Sequence, residues 1–341
     1  MKAAVWTDID KLEIKEVPMP TIAEEQALIK VRAAGVCVTD YHIISGKLKL
    51  GKMPHIQGHE ICGEVYEINS KRTDVKVGQR CVIATSIGCG HCDMCREGKV
   101  YLCNDSQEIG YYPHNGGYAE YVKVPVSAIV PITDNVSDKA GAILESCVCP
   151  TESLMNANIP LNSTVLVTGN GPAALAYIML AKIMGAGKVI SVVRDAQKEQ
   201  LTLSFGATHV INSKTQNVED ELVKITNGKK AEVVIEATGA PAVIEKCFDY
   251  CAKGGKIIQY GIPGDEDKVN LPVKKVVTEE ITYLGAVGNV KAWYPLVELI
   301  DAGKLNLEKM VTHEFTLDQI DKAFDLYRNH DRELIKAIIK F

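Results

Sequence analysis

No stretch of the chain is apolar for long enough to cross a bilayer. The longest weakly polar helix candidate, Ala173–Met184, carries Lys182 and falls well short of a span. The pattern of a secretory leader is also missing, because Met1–Trp6 runs into Asp8, Asp10, Lys11 and Glu13 with no apolar core between. The expected location is therefore the cytosol, with no membrane partner. Basic charge is not in excess: 38 Lys and Arg stand against 43 Asp and Glu, a formal net charge of -5. That balance lacks the footprint of a nucleic-acid binder, although a locally charged substrate site remains compatible with it. No internal repeat is evident, and 46% hydrophobic with 24% charged residues is not the composition of a disordered chain.

What is present is enough chain for about two domains, 341 residues, and eleven cysteines. In the cytosol those cysteines read as thiols or metal ligands rather than disulfides. The first 150 or so residues read as short strands punctuated by glycines, with candidates at 27–33, 62–68, 80–84 and 118–124 and a helix between Cys37 and Ser45. From about Asn162 the rhythm changes to strand–helix alternation: strands at 164–167, 188–193, 209–211, 233–236 and 256–260, helices at 172–184 and 197–205. Such alternation predicts a parallel sheet covered on both faces, an α/β fold. The last 45 residues read as a return to the first domain, with helices at 292–302 and 320–328 and a terminal strand at 334–339.

Cys89, Cys92, Cys95 and Cys103 form C-x2-C-x2-C-x7-C among turns at Gly88, Gly90 and Gly98. Four soft thiolates suit a closed tetrahedral Zn²⁺ with no open position for substrate, so its work would be to fix a loop. An iron–sulfur cluster is the chemical alternative. A second group has open-site character: Cys37, Thr39, Asp40 and His42 in one run, His59 and Glu60 in another. Alone, a cysteine and a histidine would be packing residues. Together with the hydroxyl and carboxylates they suggest a zinc that polarises an alcohol or carbonyl oxygen, with Thr39 and His42 carrying the proton towards solvent. Asp40 can orient a ligand or simply cap the turn. Gly169-Asn170-Gly171-Pro172-Ala173-Ala174 lies between a predicted strand and helix, where GxGxxA cradles a pyrophosphate at the helix N-terminus. Otherwise it is an ordinary tight βα turn.

In these motifs the chain resembles the zinc-containing medium-chain dehydrogenase superfamily, which includes alcohol, sorbitol and threonine dehydrogenases. The resemblance covers essentially the whole chain. The Cys-x-Ser/Thr-Asp-x-His segment matches Cys37 to His42, Gly-His-Glu-x-x-Gly matches Gly58 to Gly63, and the four-cysteine lobe falls at the same stage of the chain. The resemblance implies a GroES-like irregular β-barrel catalytic domain, 1–155 and 292–341, around a Rossmann domain, 156–291. It implies zinc ligation by Cys37 and His59, with Glu60 as a ligand in some states or a close carboxylate. Glu145 matches the third ligand of sorbitol-type members, although Ser146 and Cys147 depart from the usual companions and Cys147 or Cys149 could approach instead. One catalytic and one structural zinc per chain are expected.

The same resemblance places Val193 at the position that usually reads the cofactor ribose. Arg194 then favours NADP, whereas a shifted alignment makes Asp195 an NAD-binding acid. Thr238, Gly239, Gly261 and Val287 fall in later cofactor loops, and Lys336 occupies the place of a pyrophosphate-binding base. The implied activity is hydride transfer between NAD(P) and a secondary alcohol or polyol. Alternatives are a phosphorylated sugar alcohol, with Lys47, Lys49 and Lys52 as phosphate contacts, an amino alcohol, or a non-catalytic dinucleotide-binding protein. A homodimer or homotetramer is expected, through the apolar stretch 281–287.

Overall fold

The structure is a computed structural model and describes residues 1–288 and 290–341. The chain divides into two compact units, Met1–Glu145 with Asn289–Phe341, and Ser146–Gly288.

The first unit is built mainly on antiparallel pairing, with one parallel pair, Val311–Thr316 on Lys336–Lys340. Its main sheet runs Val311–Thr316, Lys336–Lys340, Gln26–Val36, Glu60–Asn69, Arg80–Ile83, Ile129–Pro131, and Tyr121–Pro125 also pairs with Gln26–Val36. The long strand Gln26–Val36 shifts register at Leu28/Ile29 and again at Val31/Ala33. Such irregularities bend a strand, which lets one strand serve several partners along its length. The C-terminal strand joins through Ala337↔Val36 and Ile339↔Ala34. Its Ala337 and Ile339, with Leu317, Ile320 and Phe324, complete a core shared with Ile29, Val31, Ile61 and Val122. The chain's last segment thus supplies part of the wall behind its first.

The second unit carries a six-stranded parallel sheet. Its order is His209–Asn212, Lys188–Val193, Thr164–Thr168, Ala231–Glu236, Cys251–Gln259, Thr282–Gly285. In chain order this is 3-2-1-4-5-6, the doubly wound arrangement with its switch point beside the first strand. All five residues of Thr164–Thr168 are buried, as a strand covered on both faces requires. The helix Val148–Ala157 packs against the helix Pro172–Ile183 and the strand Cys251–Gln259, so residues 146–155 fall in this unit rather than with the N-terminal segment. Among the described residues, no helix is long and apolar enough to cross a membrane.

Candidate active site and metal centres

Cys37 is the extended residue at which the strand Gln26–Val36 ends and the helix Val38–Ile44 begins. Its sulfur therefore lies at the start of the helix, with the Thr39 hydroxyl 3.6 Å away. Asp40 enters the first turn fully buried, and His42 falls in the last turn, half-buried. Glu60 opens the neighbouring strand, directly opposite Gly35 in the ladder. A side chain at position 35 would collide with the Glu60 carboxylate, so that glycine makes the room. The result is that ligand atoms of Cys37, His59 and Glu60 lie within 4.8 Å of one another.

Two of these three side chains are held from behind. Asp40 Oδ1 pairs with His59 Nδ1 at 3.1 Å, which leaves Nε2 as the nitrogen that could take a metal. The other Asp40 oxygen accepts the Tyr118 hydroxyl at 2.7 Å. Burial opposes a charged imidazole, but Asp40, then Tyr111 and Cys37, outweigh it and hold His59 well above its ordinary value. A proton and a divalent cation compete for that Nε2, and binding of the cation displaces the proton. Glu145 Oε2 stands 4.0 Å from Nε2, and burial pushes its carboxyl up to about 7 against the pull of His59. Glu60 Oε1 is 2.5 Å from the ammonium of Lys336, and both residues are buried. Burial disfavours the Lys336 charge, yet Glu60 and Cys37 keep it well above the usual lysine range. Lys336, the base expected at a cofactor pyrophosphate, pairs here with Glu60. His42 is lowered by burial and by Lys47.

The donor set fits a borderline cation: one thiolate, one imidazole, and carboxylates, gathered at ligand spacing. Among the described residues, the other group at such spacing is Cys89, Cys92, Cys95 and Cys103. There the backbone prepares the sulfurs. The Cys92 amide points at Cys89 Sγ at 3.4 Å, the Cys95 amide at Cys92 Sγ at 3.4 Å, and the Cys89 amide at Cys103 Sγ at 3.5 Å. Amides of His91 and Cys92 draw the Cys89 thiol down to about 6. His91 turns its ring to the Cys89 carbonyl, away from a ligand role. Cys147 and Cys149 join neither group.

In the second unit, Gly169 has φ +100 at the end of the first strand, where a side chain would press on the Ala237 carbonyl. Gly171 differs. It caps the helix Pro172–Ile183 with extended backbone, and a Cβ there would meet nothing of the protein. The fold itself needs Gly169, whereas the open space at Gly171 suits close approach of a pyrophosphate to the helix N-terminus. Pro172 takes the first helical position, Ala173 is half-buried and Ala174 is buried. Val193 is buried at the end of the second strand, and Arg194 is exposed just beyond it. Glu236, fully buried, accepts the amides of Thr238 at 2.7 Å and Gly239 at 3.0 Å and the Gln259 amide at 2.8 Å. That carboxylate shapes the Thr238–Gly239 loop and brings it against Gly261. Val287 follows the last strand, half-buried.

Sequence reasoning places Tyr118 only at the start of a strand, and Glu108 only at the start of a loop, 108–112, expected to shape the substrate pocket. Tyr118 follows a Gly-Gly pair, a sign of close packing. Glu108 belongs to no motif.

Residues 23–134 match the alcohol dehydrogenase GroES-like domain family, and residues 172–302 match the zinc-binding dehydrogenase family. The chain is 28% identical to the sorbitol dehydrogenase of Bacillus subtilis (strain 168), over 99% of this chain and 97% of the relative. It is 30% identical to the L-threonine 3-dehydrogenase of Escherichia coli (strain K12), over 92% of each. An NADP-bound protein from Sinorhizobium meliloti 1021 is similar in structure, with TM-score 0.93 and 27% identity over 100% of this chain and 99% of its own. With these matches spanning a site of zinc-ligand composition and a nucleotide-type sheet, the chain belongs to the zinc-binding medium-chain dehydrogenase/reductase superfamily, related to its sorbitol and threonine dehydrogenase-like branch, and is a zinc-binding NAD(P)-dependent oxidoreductase.

Proposed function

We propose that the protein interconverts a secondary alcohol or polyol with its ketone, with Cys37, His59 and Glu145 holding a catalytic zinc and the four-cysteine loop a structural one. The observation that carries this reading is the convergence of Cys37, His59 and Glu60 within 4.8 Å, with Glu145 at His59 Nε2. A zinc ion held there supplies Lewis acidity that lowers the pKa of a substrate hydroxyl. The nicotinamide of NAD(P) supplies the hydride acceptor at its C4.

The chain's own residues do the rest. Thr39, beside the Cys37 sulfur, accepts the hydroxyl proton while passing its own on towards His42. His42, kept below its ordinary pKa by burial and Lys47, is neutral at pH 7 and ready to take that proton. Asp40 holds the His59 ring in one tautomer. Glu60 is a carboxylate beside the metal, neutralised by Lys336, that can lend an oxygen as ligands exchange. Gly169 to Ala174 cradle the pyrophosphate, Thr238, Gly239, Gly261 and Val287 line the dinucleotide, and exposed Arg194 favours NADP. The edge strand Thr282–Gly285 is the element through which a homodimer or homotetramer would pair.

The test is turnover of zinc-loaded protein with polyols, simple secondary alcohols and phosphorylated polyols, each with NAD and NADP. Zinc-dependent formation of reduced cofactor, stronger with NADP and weakened by Arg194→Ser, is expected. Protein that holds about two zinc ions per chain but turns over no alcohol and reduces no ketone would overturn the assignment.

A further inference from the structure

Asparagine precedes glycine three times in the chain, at Asn115-Gly116, Asn170-Gly171 and Asn227-Gly228. With no side chain on the second residue, little shields its nitrogen from the carboxamide carbon of the asparagine. What decides the chemistry is whether the fold has already committed that nitrogen to a hydrogen bond.

Two of the pairs are committed. The Gly116 amide donates to the Ile56 carbonyl at 2.8 Å, and Asn115 Oδ1 accepts the Ile56 amide at 3.2 Å. Gly116 is also buried, and a side chain there would strike the Gly58 carbonyl. The Gly228 amide donates to the Val223 carbonyl at 2.8 Å, just past the helix Val218–Ile225.

The third pair is open. Among the described residues, no hydrogen bond engages the Asn170 side chain or the Gly171 amide. Asn170 is half-buried and Gly171 exposed, and a Cβ at Gly171 would meet nothing of the protein. Gly171 also caps the helix Pro172–Ile183. The positive end of a helix favours negative charge, and so favours both a glycine nitrogen that has lost its proton and the oxyanion formed as it attacks.

We propose that Asn170 is a site of spontaneous deamidation, and that the change closes the nucleotide site to the dinucleotide. This rests on the reading of Gly169 to Ala174 as the pyrophosphate cradle. The Gly171 nitrogen attacks Asn170 Cγ and an N–C bond forms. The Cγ–Nδ2 bond breaks, and Nδ2 leaves as ammonia with the proton given up by the Gly171 amide. Water then adds to one carbonyl carbon of the resulting cyclic imide, whose C–N bond breaks. One opening gives aspartate. The other gives isoaspartate, with the backbone rerouted through the side chain. Nothing is oxidised or reduced. Either product sets a carboxylate at the helix end where the pyrophosphate charge would lie, and the helix amides can satisfy it in the pyrophosphate's place. A bound dinucleotide covers the same turn and slows the reaction.

The experiment incubates the whole protein at mildly alkaline pH, with and without NAD or NADP. Peptide mapping by mass spectrometry, with aspartate and isoaspartate forms separated, follows all three asparagines. Calorimetry follows dinucleotide affinity in the same samples. Asn170 should be modified at least about tenfold faster than either hydrogen-bonded pair, and more slowly when dinucleotide is bound. Affinity of the modified fraction should fall about tenfold or more, as like charges meet. Asn170→Asp should bind as weakly from the outset. Asn170→Gln, whatever its starting affinity, should hold it through the incubation, because its longer side chain closes a ring far more slowly. Asn170 modified no faster than Asn115 and Asn227, modification with affinity unchanged, or Asn170→Gln losing affinity at the wild-type pace each overturns the proposal and leaves the nucleotide reading intact. Fresh protein that binds neither dinucleotide overturns both, and its starting affinity tells that failure from the others.

Discussion

The four-cysteine loop and the Cys37–His59–Glu60 group stand in the same unit and are made in contrasting ways. The loop takes every ligand from between Cys89 and Cys103, three of them half-buried, and its support is its own backbone amides. The other group draws Cys37 from a helix start and His59 and Glu60 from the entry to a strand, and Glu145, from a third segment, stands 4.0 Å from His59 Nε2. Its support is side chains of opposite charge or complementary hydrogen bonding: Asp40 on His59, Lys336 on Glu60. A site closed by local backbone can stiffen a loop and do nothing else. One assembled over long separations, with buried charges tuned by partners, can leave a position for substrate and still hold its ligands in place.

The sharpest way to break this contrast is to remove one ligand from each. His59→Ala takes the imidazole from the assembled group and is expected to reduce turnover to below about a thousandth of wild type. Metal analysis should show loss of about one zinc per chain, with the loop's zinc retained. Loss of both ions would mean that the two groups are not independent. Cys95→Ser should do the reverse. It should release the loop's zinc and lower Tm by about 5 °C or more, yet leave measurable turnover at low temperature. Complete loss of turnover with the other zinc still bound would give the loop a part in the chemistry.

The contrast also explains what could be read in advance. The loop is one motif, so spacing alone discloses it. The parallel sheet is similarly local: the strand Lys188–Val193 has the bounds its pattern predicts, and so, in the first unit, does the helix Ile320–Arg328. The assembled group is visible in sequence only as motif fragments, and its partners are not visible at all. Residues 118–124 read as a strand, yet the strand is Tyr121–Pro125. Tyr118 gives its amide to the Gln57 carbonyl and its hydroxyl to Asp40, 78 residues away, contacts that alternation cannot report. By position Lys336 is expected at a pyrophosphate. Its pairing with Glu60, 276 residues distant, follows from strand register between the two ends of the chain.

Asp40→Asn sharpens the comparison by weakening a support rather than a ligand. The amide keeps the size of the side chain, but offers His59 Nδ1 one neutral oxygen in place of an ion. Removal of such a partner costs about 10–100-fold in metal affinity or activity. Competition with a chelator should show the assembled site emptying sooner while the four-cysteine site is unmoved. Equal loss from both would point to general unfolding.

Tyr118→Phe reaches one shell further out and should have the smallest effect. The ring is fully buried and packs edge-on against Phe324, so phenylalanine keeps the packing while deleting the hydroxyl. What is lost is chiefly the 2.7 Å bond to Asp40 Oδ2, a bond to an ion in a desolvated place, with a longer 3.2 Å contact to the Gly35 carbonyl. Hydrogen bonds to charged groups contribute about 1.5–3 kcal/mol, but only the part that reaches His59 through Asp40 affects the metal. Zinc release from the assembled site is therefore expected to accelerate about three- to tenfold, with Tm lowered slightly and the loop's zinc unaffected. In protein with cobalt in place of that zinc, the visible absorption bands should shift, because the His59 ring is freer to turn. A variant with unchanged metal release and unchanged bands would confine Tyr118 to the core, and Asp40 alone would then account for how His59 is held.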